Sequence, residues 1–217
     1  MSQWWTYRLE DFLLFSPRVY WRMFELHNAA LWPLHVITLA AGSAVMLLAL
    51  RRPRRHGLWI ALIFAALWAF VGWSFLGSRY AAVNWVVVYV TPAFGLQALL
   101  LAITAAGGLA FDRKDSRLGL LLAGIGLVAY PLLPPLFGRP WTAAEVFGIA
   151  PDPTVMAALG ILLAAGGRLV LLLVPIPLIW LLLSGLTLYT MGDAQAWLPF
   201  SAVGAVLAGM VLRHLIR

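Results

Sequence analysis

ELHNAALWPLHVITLAAGSAVMLLAL, residues 25–50, followed at once by RRPRRH at 51–56, decides how the chain reads. From Ala29 onward the stretch is long and apolar enough to cross a bilayer, for which about 20 residues suffice. Its near end is different. Glu25, His27, Asn28, Trp32 and His35 gather there, and Pro33 interrupts the helical pattern. Pro33 has no amide hydrogen for the carbonyl of Ala29, and its ring crowds that turn. A carbonyl freed in lipid must find another partner in protein, water or ligand. On an unbroken helix Asn28 and His35 are seven positions apart and share a face. The arginines that follow end the span abruptly.

The rest of the chain agrees with this solvent. Of 217 residues, 63% are hydrophobic and 11% charged, and the mean hydropathy is +0.92. A soluble domain carries about 25% charged residues. So little polar surface excludes a water-soluble globule and points to an integral membrane protein. Eleven Trp, 6 Tyr and 11 Phe suit aromatic belts at both interfaces. Cysteine is absent, which excludes disulfides, thiolate metal sites and cysteine nucleophiles. The net charge of +7 sits in short turns between apolar runs, as topology determinants do, so no nucleic-acid partner is expected. The run FLLF at 12–15 is too short for a signal peptide, and no small-residue cleavage site follows it.

Seven spans are expected, at about 29–50, 57–77, 84–110, 118–138, 154–167, 169–191 and 195–216, with a loop at 139–154. The fifth is short and reads either as a full span or as a half-membrane, re-entrant segment. Residues 1–28 form an aromatic, interfacial amphipathic segment ahead of the 29–217 transmembrane domain, with Ser16-Pro17 as an N-cap and first-turn proline. Thr154 is the expected N-cap of the fifth span. The fold class is therefore all-α, an integral membrane helical bundle whose main partner is the lipid bilayer. With seven spans, ten basic residues fall on one side: Arg51, Arg52, Arg54, Arg55, Arg113, Lys114, Arg117, Arg168, Arg213 and Arg217. Five fall on the other: Arg8, Arg18, Arg22, Arg79 and Arg139. The positive-inside tendency then puts the carboxyl terminus in the cytoplasm and the amino terminus outside, in a bacterial inner membrane.

Away from the turns, the polar side chains collect in the outer half. His27, Asn28, Trp32 and His35 end the first span, Tyr80 and Asn84 flank the outer turn after the second, Gln97 lies in the third, and Asp152 sits between prolines in the loop. A buried Gln is unfavourable unless hydrogen-bonded, so Gln97 is interhelical glue or part of a path. Asp152 and Glu145 either attract cations to the outer mouth or are solvated. The same asymmetry follows from an outward-facing polar cavity or from seven helices with wide outer loops.

Several chemistries are excluded or disfavoured. Lys114 is the single lysine and lies in a turn, so no retinal Schiff base forms inside the bundle. No H-E-x-x-H, G-x-S-x-G or P-loop motif occurs. No span reads as holding a buried carboxylate pair, which argues against a proton relay through intramembrane acids. A metal or haem would need His27 and His35, or one of them with Tyr80 or Asp152.

The segments HNAALWPLH, GSRYAAVN, FGLQALL, YPLL and FGIAPDPT together resemble an uncharacterised bacterial membrane family, domain of unknown function 6064. The resemblance spans nearly the whole chain and implies the same multi-pass topology. It implies no activity. The leading expectation is a carrier of a small solute or ion, with His27, Asn28, Trp32, His35, Tyr80, Asn84, Gln97 and Asp152 lining its site. The alternatives are a metal- or haem-binding redox protein using His27 and His35, and a sensor or assembly partner without chemistry.

Overall fold

A computed structural model describes residues 13–51, 56–107, 109, 117–165 and 169–215. The amino-terminal aromatics Trp4, Trp5, Tyr7 and Phe12, and the basic residues at 52–55, 113–114, 168 and 217, lie outside them. Among the described residues the chain is mostly helical and no strand forms.

Helix α1, Pro17–Leu31, starts as expected: Ser16 Oγ accepts from the Val19 amide, and Pro17 occupies the first turn, where its missing N–H costs nothing. Tyr20, Met23, Phe24 and His27 face inward, whereas Arg18, Arg22 and Leu26 stay exposed. The expected single span from residue 29 is corrected here. The chain breaks at Trp32–Pro33, and the crossing helix α2, Leu34–Arg51, is a separate element. Helix α3, His56–Val71, continues as a wide π-helical stretch from Gly72 to Tyr80. α4 is Val87–Gly107. α5, Arg117–Gly124, runs on through a π-helical stretch and a tight turn, Tyr130–Leu132, and ends there, short of the expected 138. α6, Pro151–Ala164, is followed by the single turn α7, Val170–Leu173, then by α8, Pro175–Thr190, and α9, Trp197–Leu215.

Among the described residues, five helices are long and apolar enough to cross a membrane: 34–51, 56–80, 87–105, 170–190 and 194–212. The segments 117–132 and 151–164 are apolar but shorter. Leucines, valines and isoleucines crowd the outer surface; Ile37, Leu121 and Leu171 are each more than 60% exposed. Water-soluble monomers rarely carry such apolar area, so this surface suits lipid.

The core is built round α6. All of its residues, from Pro151 to Ala164, are buried. Glycines let its neighbour come close. A Cβ on Gly160 would lie 2.4 Å from the Ala123 amide nitrogen, and one on Gly119 or Gly126 would lie 2.5 or 2.7 Å from α6 backbone. With no hydrophobic drive between helices in lipid, such backbone approach is what holds α5 to α6. The sixth segment is broken for a different reason. Pro177 cannot bond the Leu173 carbonyl, and Gln97 Nε2 from α4 donates to that carbonyl at 2.9 Å. The break and its repair come from different helices.

Candidate functional site

The route into α6 sets the site. After Tyr130 the chain makes two tight turns, Pro134–Phe137 and Trp141–Ala143, and then runs without regular structure from 144 to 150, buried all the way. Irregular backbone survives inside a bundle only where protein satisfies its polar groups. Here Asn28 does much of that: its Nδ2 donates to the Thr142 and Ala144 carbonyls, each at 2.8 Å. Gly148, at φ 74°, turns the chain against Thr38, where a Cβ would sit 2.7 Å from the Thr38 Cβ. Thr154 is not the N-cap; Ala150 is. The Thr154 hydroxyl instead accepts from the Gly148 amide and donates to the Ala150 carbonyl, both at 2.7 Å, and so locks the loop onto the first turn of α6.

Asp152 follows in that turn. Of its two expectations, attracting cations at an outer mouth or being solvated, the second is corrected: it is 2% exposed. Trp180 Nε1 donates to its Oδ1 at 2.8 Å, and Tyr130 Oη and Ser184 Oγ both donate to Oδ2, the former at 3.1 Å. Glu145 is the second carboxylate, 3% exposed. Gln195 Nε2 donates to its Oε1 at 2.8 Å, and Oε2 has no partner. The expectation that no span holds a buried carboxylate pair left out the loop, where Glu145, and Asp152 at the start of α6, are both buried. The two acids come from a loop and a helix start, where a search along single spans does not look.

Arg139 closes the outer side. It donates to Asp193 Oδ2 at 3.2 Å and to Gln195 Oε1, and its guanidinium lies 3.5 Å from the centre of the Trp21 ring. Asp193 in turn accepts from the Gln195 amide, which starts the last helix. The result is two buried polar networks, Arg139–Asp193–Gln195–Glu145 and Asp152–Tyr130–Trp180–Ser184.

The residues expected to line a site end up in several places. His35 Nε2 and Asn28 Oδ1 meet at 3.1 Å across the break, although no common helix connects them. His27 is 2% exposed, packs edge-on against Phe75 at 5.1 Å between ring centres, and leaves Nε2 without a partner. Burial, and then the Arg79 charge, lower its pKa to about 4, so it is neutral at pH 7. Trp32 is 70% exposed and faces outward. Tyr80 packs among Phe15, Tyr20 and Phe75. Asn84 caps the start of α4 through the Val86 amide at 3.1 Å. Gln97 bonds α7, as described. Only Asp152 of this set belongs to the two carboxylate networks. No group of three or more His, Asp or Glu side chains disposed to hold a metal occurs among the described residues.

Glu145, Arg139, Tyr130, Trp180, Ser184 and Gln195 were not singled out from the sequence as a site. One signal was there: acids and an arginine beside prolines in a run otherwise too apolar to be a water-exposed loop. No curated protein and no solved structure matches the chain. The model of the Family of unknown function (DUF6064) matches residues 17–215, and the chain belongs to that family.

Proposed function

We propose that this protein is a small multi-pass membrane carrier that moves a small solute or ion together with a proton held by the Glu145–Asp152 pair. The observation that carries the reading is that pair itself: two carboxyl groups sealed in one bundle, one of them with an oxygen that nothing bonds. Ionisable groups inside a membrane bundle are expensive and are kept chiefly for ion or substrate pathways. Broken helices beside buried polar groups are the usual material of carrier sites, and this chain breaks at Pro33, at Tyr130-Pro131 and at Val174.

The geometry supports seven crossing segments. α6 has 14 residues and reaches about 21 Å, against a hydrocarbon core of about 30 Å. The buried loop 144–150 makes up part of the difference, so the irregular stretch and α6 together serve as one crossing segment. Ser184 is six residues inside the end of α8 at Thr190, which sets Asp152 about 9 Å below that end. On a seven-span reading, the basic residues at 51–55, 113–117, 168 and 213–217 support a carboxyl terminus in the bacterial cytoplasm and an amino terminus outside, with α1 in the interface. The working site is then shifted from the end of the first span to the mouth of α6. There the Asp152 carboxylate and the unbonded Glu145 oxygen can exchange a proton, while Arg139 offers a positive charge to a solute anion or releases Asp193 for a cation.

The test is purified protein in vesicles loaded with a pH-sensitive dye, under an imposed potassium-valinomycin potential. Amino acids, sugars, monovalent and divalent cations are offered as classes. At least one class is expected to change the internal pH, and Glu145→Gln and Asp152→Asn each reduce that flux tenfold or more. Flux untouched by either substitution, or no proton movement with any class, counts against the reading.

A further inference from the structure

Apart from the α6 networks, a groove of about 800 Å³ opens between α1 and the turn after the π-helical end of α3. Arg18, Arg22 and Arg79 line it, with Ser78 beside them and Glu25 as the one acid. Arg22 is held by Glu25. Among the described residues Arg18 and Arg79 form no ion pair. The groove is not wholly polar. Val19, Leu26, Ala82 and Val83 share it, and Val19 and Leu26 are each nearly half exposed. One cleft therefore offers guanidinium donors next to open apolar side chains.

We infer that this groove binds an anionic phospholipid, the phosphate taken by Arg18 and Arg79 and the acyl chains laid along Val19 and Leu26. Guanidinium is suited to phosphate because its forked N–H groups match two phosphate oxygens at once. A soluble phosphate ester would use the arginines alike but would leave the apolar rim bare, and that favours a lipid. The place fits as well. α1 is amphipathic and immediately precedes the break that turns the chain into the crossing helix α2, so the groove sits where headgroups lie. Trp73, 71% exposed, and Trp85, 62% exposed, flank the same turn and mark that level. The lipid would brace α1 against the π-helical end of α3, and α1 in turn carries Trp21, on which Arg139 rests.

Detergent-solubilised full-length protein is titrated with phosphatidylglycerol carrying brominated chains, and quenching of tryptophan, Trp21 included, is read. Phosphatidylcholine and inorganic phosphate are the comparison arms. Saturable quenching is expected with phosphatidylglycerol at concentrations where phosphatidylcholine gives none, with inorganic phosphate competing only weakly. Each basic contact contributes roughly a fivefold factor, so Arg18→Gln with Arg79→Gln should weaken binding about 30-fold. Glu25→Gln releases Arg22 and should tighten it, a gain that misfolding cannot mimic. Equal quenching by phosphatidylcholine, full competition by inorganic phosphate, or an unchanged midpoint in the double variant overturns the inference. So does binding that arises only when residues 1–12 are removed, since the occupant would then be the chain's own amino-terminal segment.

Discussion

Asp152 is where stability and chemistry separate most cleanly. Asp152→Ala takes away the acceptor of three donors at once. The Tyr130 and Ser184 hydroxyls can rotate and find other partners. The Trp180 indole is a donor only and cannot turn away, so it is left orphaned in the core. One stranded buried donor costs about 1–3 kcal/mol. Counting instead three side-chain bonds at the bundle average of about 0.6 kcal/mol each gives about 2 kcal/mol. Both routes agree on about 2 kcal/mol. Asp152→Asn behaves differently. Its oxygen can keep the Trp180 bond, and its amide can donate to the Tyr130 and Ser184 oxygens once those hydroxyls turn. The cost should stay below about 1 kcal/mol. For a chain of this length each kcal/mol moves the melting temperature by about 2–4 °C. The alanine variant should therefore melt about 4–8 °C below wild type, and the asparagine variant within about 3 °C of it. Thermal unfolding in detergent, followed by tryptophan fluorescence at pH 7, reads both. Equal melting of the two variants would refute the bonding scheme. Because asparagine keeps the fold but holds no exchangeable acid proton, the same variant should be folded and inactive in the vesicle assay.

Gly160→Ala forces a Cβ to within 2.4 Å of the Ala123 nitrogen, and should cost about 1–3 kcal/mol as the α5 and α6 backbones part. Gly95→Ala meets nothing within 4 Å and should leave melting unchanged or slightly raised; equal losses in the two would sink the close-approach argument. His27 has a folded pKa of about 4, below its unfolded 6.5, so the unfolded chain binds the proton more readily. Its stabilising contribution is full above pH 6.5 and fades as the pH falls toward 4, by about 2–3 kcal/mol at the end of that window. His27→Phe should flatten the fall in melting temperature between pH 7 and 4.5 relative to wild type, and parallel curves would show that His27 does not titrate in this way.

The solvent of the chain and the rough places of its helices were legible residue by residue. Hydropathy is a local sum, and Leu34–Arg51 or Val170–Thr190 needs no partner to read as apolar and helical. Helix ends with a chemical marker were legible too: Ser16-Pro17 starts α1, and Pro33 stops it. Pro33 breaks the chain outright, however, because Asn28 on one side and His35 on the other find each other and hold the loop carbonyls a continuous helix could not reach. Asp152 and Glu145 read as cation-attracting or solvated, because charge in a proline-bounded loop usually meets water. Only the packed bundle shows that loop folding inward, since what buries it is α3, α5, α8 and α9 closing round α6. Trp180 and Ser184 sit in an apolar run with nothing local to mark them as donors, and Gln97 had no visible reason to face α7. A side chain's cost inside a membrane depends on which distant group satisfies it. That pairing is non-local, so composition could say that lipid surrounds this protein, and tertiary structure alone decided where its charges meet.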